Sequence, residues 1–253
     1  MGTTYLDKQC AEAEIITALP HETASAQLPL TYWALKRVID VVGAALALIF
    51  SSPLLAIIAL WVVIDSKGPV FFVQPRVGAK RIRCQGRWLW APTRFNCYKF
   101  RTMIHKADPA LHQAYVAALI QNDQQQIDQI QGEKTTAKKL VHDPRVTRVG
   151  KYLRMWSMDE LPQFFNVLLG DMSLVGPRPA IPYEVELYQP WHMQRLLTKP
   201  GLTGLWQVTA RSSADFDDMV RLDIAYIQNQ NLSMDLKILF KTPLEVLKRS
   251  GAY

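Results

Sequence analysis

The sequence predicts an α+β chain, mostly helical. A re-entrant helix–break–helix membrane segment comes first, then a domain with a small β element and amphipathic interfacial helices. Three observations carry that prediction. Val41–Ile64 runs 24 residues without a charge and holds Ser51-Ser52-Pro53 near its midpoint. A stretch rich in β-branched and aromatic residues, "GPVFFVQPRVG", follows it. From Asp143 onward the apolar residues regain periodicity. The bulk numbers agree. The chain has 253 residues, enough for one or two domains with a real core. A hydrophobic content of 49% is that of a globular protein and excludes a polytopic membrane protein. A net charge of +7 suits phosphate-rich partners: nucleic acid, anionic head groups or nucleotide-linked substrates.

Residues 1–31 carry Glu12, Glu14 and Glu22 and no apolar run, which excludes a secretory signal and predicts a polar, flexible tail. Cys10, Cys84 and Cys97 are odd in number and lack metal-ligand spacing. They predict neither a disulfide framework nor a zinc site, and a reducing compartment follows.

Residues 32–67 form the membrane segment. As one straight helix, 24 residues reach about 36 Å, enough for a hydrocarbon core of about 30 Å. Pro53 cannot donate its backbone N–H and kinks the helix. Ser51 and Ser52 can satisfy the carbonyls so freed. Lys36 and Arg37 precede the segment, and Lys67, Arg76, Lys80 and Arg81 follow it, so charge gives no inside–outside bias. A re-entrant helix broken at Ser52-Pro53 fits, and so does a kinked spanning helix.

The domain at 68–253 opens with "GPVFFVQPRVG", a strand or hairpin. Arg76–Arg101 then holds eight basic residues, five aromatics and no acid. Such interleaving suits single-stranded nucleic acid. Beside a membrane segment it suits an interfacial platform, with Trp88 and Trp90 at head-group depth. The glutamine-rich segment 108–140 predicts a solvated helix or loop without chemistry. "MVRLDIAYIQN" predicts a helix. "SMDLKILFKTPLEVLKRSG" predicts a helix begun by Ser233, kinked at Pro243 and ended near Gly251, lying on a membrane surface or packed on the core.

The chemistry is sought in Asp143–Pro179. Arg145, Arg148, Lys151 and Arg154 recur every third residue and on a helix would share one side. They lead into Asp159-Glu160. A carboxylate can be a nucleophile toward phosphorus, a metal ligand or a base. Adjacent acids point apart, so two acids suggest two roles: attack by one, a divalent cation held by the other. Arginines nearby would neutralise diphosphate oxygens. The alternative is a capping box, Ser157 with Glu160, although Pro162 then sits too deep in the helix. In "GPRP", Arg178 lies between two prolines that restrict its backbone, which suits phosphate recognition or a loop salt bridge. The five histidines show no ligand spacing, and no dinucleotide, Walker, HExxH or GxSxG motif occurs.

Taken together, "KRVIDVVGAALALIFSSP", "YKFRTM", "DPRVTRVGKYLR", "SMDELPQFFNVLLGDMSLVGPRP", "KPGLTGLWQV" and "LDIAYI" resemble the bacterial sugar transferases known as monotopic phosphoglycosyl transferases. The likeness runs from about Tyr32 to Tyr253, and the ending "LKRSGAY" is similar to members serving exopolysaccharide assembly. The resemblance implies transfer of a sugar 1-phosphate from a UDP-sugar, UDP-glucose or UDP-galactose, to undecaprenyl phosphate, with UMP leaving. It implies Asp159 as nucleophile and Glu160 as a Mg²⁺ ligand beside it. It implies Lys99, Arg101, Arg154 and Asp223 lining the site, and Arg178 facing the nucleotide. It also implies a re-entrant break at Ser52-Pro53, with the catalytic domain on the cytoplasmic face of the bacterial inner membrane, membrane lipid and downstream glycosyltransferases as neighbours and no nucleic acid partner. Two features depart from the larger members. The N-terminal part is short, as in the minimal form, and "RIRCQGRWLWAPTRFNCYKF" is longer than the usual link. A membrane-tethered nucleic-acid-binding protein and a non-catalytic scaffold are the rival readings.

Overall fold

A computed structural model describes residues 5–17, 28–132, 143–210 and 214–247. Ten helices, α1 to α10, surround a long β-hairpin and one short parallel strand pair among them. The mostly helical α+β expectation holds.

The first helix, α1 (Tyr5–Thr17), lies along the hairpin. Ala13 packs with Cys84, Leu89 and Ala91, and Ile16 packs with Ala79, Trp90 and Leu197. A disulfide joins Cys10 to Cys84, with the Cα atoms 5.7 Å apart across 74 residues of sequence. Two expectations are corrected here. Residues 5–17 of the expected tail form a docked helix, and two of the three cysteines are paired. Neither was legible locally, because the partners lie in a segment far along the chain.

The second helix, α2 (Leu30–Asp65), is a 36-residue helix with Pro53 inside. It is the only helix among the described residues long and apolar enough to cross a membrane. Ser52 Oγ donates to the Ile49 carbonyl at 2.8 Å. That carbonyl is the one Pro53, four residues on, cannot bond, so the expected serine repair is present and belongs to Ser52. The middle is bare: Ile49, Phe50, Ile57 and Leu60 are all more than half exposed. The flanks are not. Lys36 Nζ donates to Asp235 Oδ2 at 2.9 Å and to the Val175 carbonyl at 3.0 Å. Asp40 accepts from Ser173 Oγ at 2.9 Å and Leu174 N at 2.8 Å. At the other end Ile58 and Val62 pack with Phe100 and Leu153. Both ends of α2 rest on one body, and the centre does not.

Strands β1 (Phe71–Cys84) and β2 (Arg87–Phe100) pair antiparallel from Phe71↔Phe100 to Cys84↔Arg87. Gln85 and Gly86 both have positive φ, 48° and 84°, as a two-residue hairpin turn requires. The hairpin therefore extends well beyond "GPVFFVQPRVG" and absorbs the whole basic–aromatic stretch. Trp90 is 3% exposed, against 45% for Trp88. Trp90 is thus a core residue rather than a head-group anchor, because α1 and Trp33 cover it. Trp88 stays open, with Arg81 stacked between it and Trp33.

Helices α3 (Ala110–Ile120) and α4 (Gln124–Gln131) occupy the glutamine-rich segment, and Asp123 caps α4. Then come α5 (Arg148–Met155), α6 (Gln163–Leu169), β3 (Ser173–Val175), α7 (Pro182–Val185), β4 (Gly201–Thr203) and α8 (Leu205–Thr209). β3 pairs in parallel with β4. A Cβ on Gly201 would overlap the Gly176 backbone, so both glycines are needed for this close approach. The Gly176–Pro179 loop leaves β3 from that point. Helices α9 (Phe216–Gln228) and α10 (Leu232–Leu247) close the core, where Tyr226, Ile227 and Ile238 meet Met172 and Val175. Asn231, not Ser233, caps α10: its Oδ1 accepts Met234 N at 2.9 Å. One side of α10 buries Asp235 and Ile238. The other exposes Leu236, Phe240, Leu244 and Leu247, so the core-packing and surface readings of this helix are both satisfied. The expected helix end near Gly251 lies outside the described residues.

Candidate active site

The site is built on the turn between α5 and α6. Thr147 caps α5, its Oγ1 accepting Gly150 N at 3.0 Å. Gly150 lies so close to the Thr102 carbonyl that a Cβ there would overlap it, which seats α5 against the end of the hairpin. After α5, Ser157 adopts φ 54°, a left-handed conformation that costs a non-glycine residue about 1–3 kcal/mol. The chain then makes a 3₁₀ turn at Met158–Glu160, and Pro162 starts α6. Ser157 makes no side-chain cap bond, so the capping-box alternative is not realised. Successive residues of a 3₁₀ turn lie about 120° apart around its axis, so the Asp159 and Glu160 carboxylates diverge.

Lys99, from β2, donates to Glu160 Oε1 at 2.7 Å. Asp159 forms no ion pair among the described residues. Burial raises its pKa and Glu160 raises it further, while Lys99 and Arg154 pull it down. A recessed carboxylate flanked by two cations suits a nucleophile toward an anionic phosphoryl group, since those cations also neutralise the incoming charge. Arg154 Nε donates to Thr102 Oγ1 at 2.9 Å, which aims α5's last basic residue inward. Arg178 is exposed while Pro177 and Pro179 on either side are buried, and it forms no ion pair among the described residues. The loop holding Arg178 is braced from beneath. Arg76, 5% exposed, donates to the Pro179 carbonyl at 2.9 Å. Burial and the nearby Arg178 charge lower its pKa.

The structure brings Lys99, Arg154, Asp159 and Glu160 together and holds Arg178 and Arg76 side by side. It places Arg101 and Asp223 elsewhere. Arg101, 4% exposed, donates to the Val62, Ser66 and Lys67 carbonyls and so caps the C-terminus of α2. Asp223, 1% exposed, accepts from Arg195 at 2.6 Å. Burial carries its pKa up to about 6 against that cation's pull. Nor do the four periodic basic residues form one face. Arg145 lies before α5 and pairs with Asp143 at 2.6 Å; Arg148 and Lys151 are exposed, and Arg154 points inward.

Two residues were not singled out from the sequence. One is Arg76, hidden among seven basic residues of the hairpin. The other is Asn166, 0% exposed. Its Oδ1 accepts Tyr98 N at 3.0 Å and its Nδ2 donates to the Asn96 carbonyl at 2.7 Å, which fixes α6 beside Lys99. The signal was a lone asparagine inside "QFFNVLL". On the other side of the turn, an apolar cavity of about 310 Å³ is lined by Phe71, Tyr98, Pro162, Phe165 and Leu169.

No group of three metal-ligating side chains occurs among the described residues. Glu160, next to Asp159, nevertheless offers a carboxylate of the kind Mg²⁺ takes. That ion takes one or two carboxylates and completes its shell with water and substrate phosphates. The ammonium of Lys99 on Glu160 marks where that carboxylate already holds a cation.

The family model for bacterial sugar transferase matches residues 31–249, which takes in all but the first residue of the long apolar helix α2 and every residue of this site. The chain belongs to that family. A galactose phosphotransferase acting on undecaprenyl phosphate, from Salmonella typhimurium, is 44% identical over 220 residues, covering 87% of this chain and 42% of its own length. Exopolysaccharide production protein ExoY of Rhizobium meliloti is 39% identical over 235 residues, covering 93% of this chain and 94% of its own. An undecaprenyl-phosphate glucose phosphotransferase of Komagataeibacter xylinus is 35% identical over 233 residues, or 87% of this chain and 37% of its own. This sugar transferase thus spans well under half of two of these relatives and nearly all of the third.

Proposed function

We propose that this sugar transferase moves a sugar 1-phosphate from a UDP-sugar to undecaprenyl phosphate, as the first membrane step of exopolysaccharide synthesis. The observation that carries the reading is Asp159: a recessed carboxylate without an ion pair, set between Lys99 and Arg154. Its oxygen attacks the sugar-bearing phosphorus of the donor. The bond from that phosphorus to the bridging oxygen breaks, and UMP leaves with the electron pair. A phosphate oxygen of the lipid then attacks the same phosphorus, and the Asp159–phosphorus bond breaks to return the carboxylate. Lys99, Arg154 and Arg178 hold the phosphate oxygens and offset charge as it moves. Asp159 and Glu160 would hold Mg²⁺, which supplies further neutralisation of the diphosphate when bound. Because the covalent relay separates the two substrates in time, one phosphate pocket serves both.

The names of the relatives favour galactose or glucose as the sugar. The apolar cavity at Pro162, just after the Asp159–Glu160 turn, would take part of the acceptor's chain. The membrane reading is re-entrant. A straight helix between Arg37 and Val62 would hold their contacts about 37 Å apart, yet both flanks rest on the same body. A bend at Ser52-Pro53 lets the bare centre enter one leaflet and return, leaving residues 68–253 at the cytoplasmic face of the inner membrane.

The test is UMP release by protein in nanodiscs, with Mg²⁺ and undecaprenyl phosphate, across a panel of UDP-sugars. Release with one sugar, dependent on lipid, is expected. Asp159→Asn should lower turnover at least 10³-fold, in the range of lost nucleophiles. Near-wild-type turnover in that variant overturns the nucleophile assignment.

A further inference from the structure

The glutamine-rich segment, read above as without chemistry, brings a histidine against the chain that follows the Arg178 loop. His112 lies on α3. Its Nδ1 is 2.6 Å from Tyr183 Oη, on α7, five residues beyond Arg178. The base of α3 is tied to the same region, because Arg145 donates to the Asp108 carbonyl while pairing with Asp143. Arg76 and the Val77↔Ala180 bridge fasten the chain just before Tyr183. His112 is half-buried, and Nε2 has no hydrogen-bond partner among the described residues. Burial first, then the charges of Arg76, Arg178, Arg145 and Arg154, bring its pKa down to about 4. The imidazole is therefore neutral at pH 7, with burial and the positive charge of these arginines acting in the same direction. Burial likewise keeps Tyr183 a phenol.

We propose that His112 is a donor-positioning residue whose Nε2–H, fixed by Tyr183, hydrogen-bonds a diphosphate oxygen of the nucleotide-sugar. The inference rests on the donor reading above. In this arrangement Tyr183 donates its O–H to Nδ1, and the one imidazole proton then sits on Nε2, which has no hydrogen-bond partner among the described residues. A neutral donor among arginines adds direction where the cations supply charge. It does so without adding another positive charge to repel the first four. α3 thereby becomes one wall of the donor pocket.

The test compares wild type, His112→Ala, His112→Gln and Tyr183→Phe. Each is measured for UDP affinity by calorimetry, for donor and acceptor KM, for kcat and for melting temperature. One hydrogen bond to a charged oxygen corresponds to roughly tenfold in affinity or more. His112→Ala should therefore weaken UDP binding and raise donor KM about tenfold, with kcat and acceptor KM within about twofold. His112→Gln, whose amide N–H can take the Nε2 position, should stay within about threefold of wild type. Tyr183→Phe keeps the ring but frees its tautomer, and should lose about threefold. UDP affinity unchanged in His112→Ala, or donor and acceptor KM rising together, overturns the inference. If His112→Ala does not fold, Tyr183→Phe decides, and an unchanged UDP affinity there overturns it. Wild-type protein that binds no UDP overturns the donor reading and this inference together. Wild-type binding with no loss in the variants overturns this inference alone.

Discussion

Lys36→Met tests what holds the membrane helix to the domain. The Lys36 ammonium and the Asp235 carboxylate are 2.9 Å apart, with side chains only 6% and 4% exposed. Asp235 also accepts from Tyr32 at 3.0 Å and Tyr226 at 2.6 Å. Removing one partner of a buried pair costs about 3–5 kcal/mol, because the other charge stays buried. Two tyrosine hydroxyls remain on Asp235, so the lower end applies, about 3 kcal/mol. For a chain of this size that lowers the melting temperature by about 6–12 °C. Asp235→Asn should destabilise too, and the double variant should lose less than the two singles combined. A coupling of about 2 kcal/mol is expected from contacting partners of one network. Pulse proteolysis in urea, on protein in detergent micelles, measures all four corners of the cycle. The variant should still sediment with membranes after a carbonate wash, since the bare centre of α2 is untouched. Additive single effects would refute the argument that this pair anchors α2.

Three further outcomes follow from the geometry. Asn166→Ala leaves Tyr98 N and the Asn96 carbonyl without their partner, and should cost about 2–4 kcal/mol in the same urea assay, with turnover falling because Lys99 is its neighbour on β2. Cys10→Ser removes a link closing a loop of 74 residues. Up to about 4 kcal/mol is at stake, so oxidised wild-type protein should melt higher than the variant, and reductant should erase the difference. On a background with Cys10, Cys84 and Cys97 all replaced by serine, single cysteines at Leu30 and Lys67 should label from the same side of sealed vesicles. Labelling from opposite sides would replace the re-entrant bend with a spanning helix and leave the chemistry standing.

What the sequence revealed and what it hid divide along contact range. Asp159, Glu160 and Arg154 lie within one stretch of seven residues, and Arg178 sits in a four-residue loop, so they could be singled out as candidates where they stand. The Ser52 repair of the Pro53 gap was legible for the same reason, being a contact between neighbours on one helix. The hairpin was half legible: "FFVQPRV" has strand composition, but Gln85-Gly86 is a weak turn signal, and the charges of β1 and β2 read as a surface. Only the pairing explains why Trp90 is buried and Trp88 is not. The partners that the sequence hid for Cys10, Arg101, Asp223 and the periodic basic residues share one feature. A charged or thiol side chain looks available until a partner far along the chain meets it, and here those partners are Cys84, the end of α2, Arg195 and Asp143. The same limit operates in the other direction at His112. Nothing in "ALHQAYVAALI" distinguishes a surface histidine from one held against four arginines, because the arginines come from the hairpin, α5, the loop before α5 and the loop after β3. In the site proposed here, the candidate nucleophile Asp159 lies in a motif and the surrounding walls are set by the fold. Variation in the walls can then change which donor is accepted while the motif stays the same.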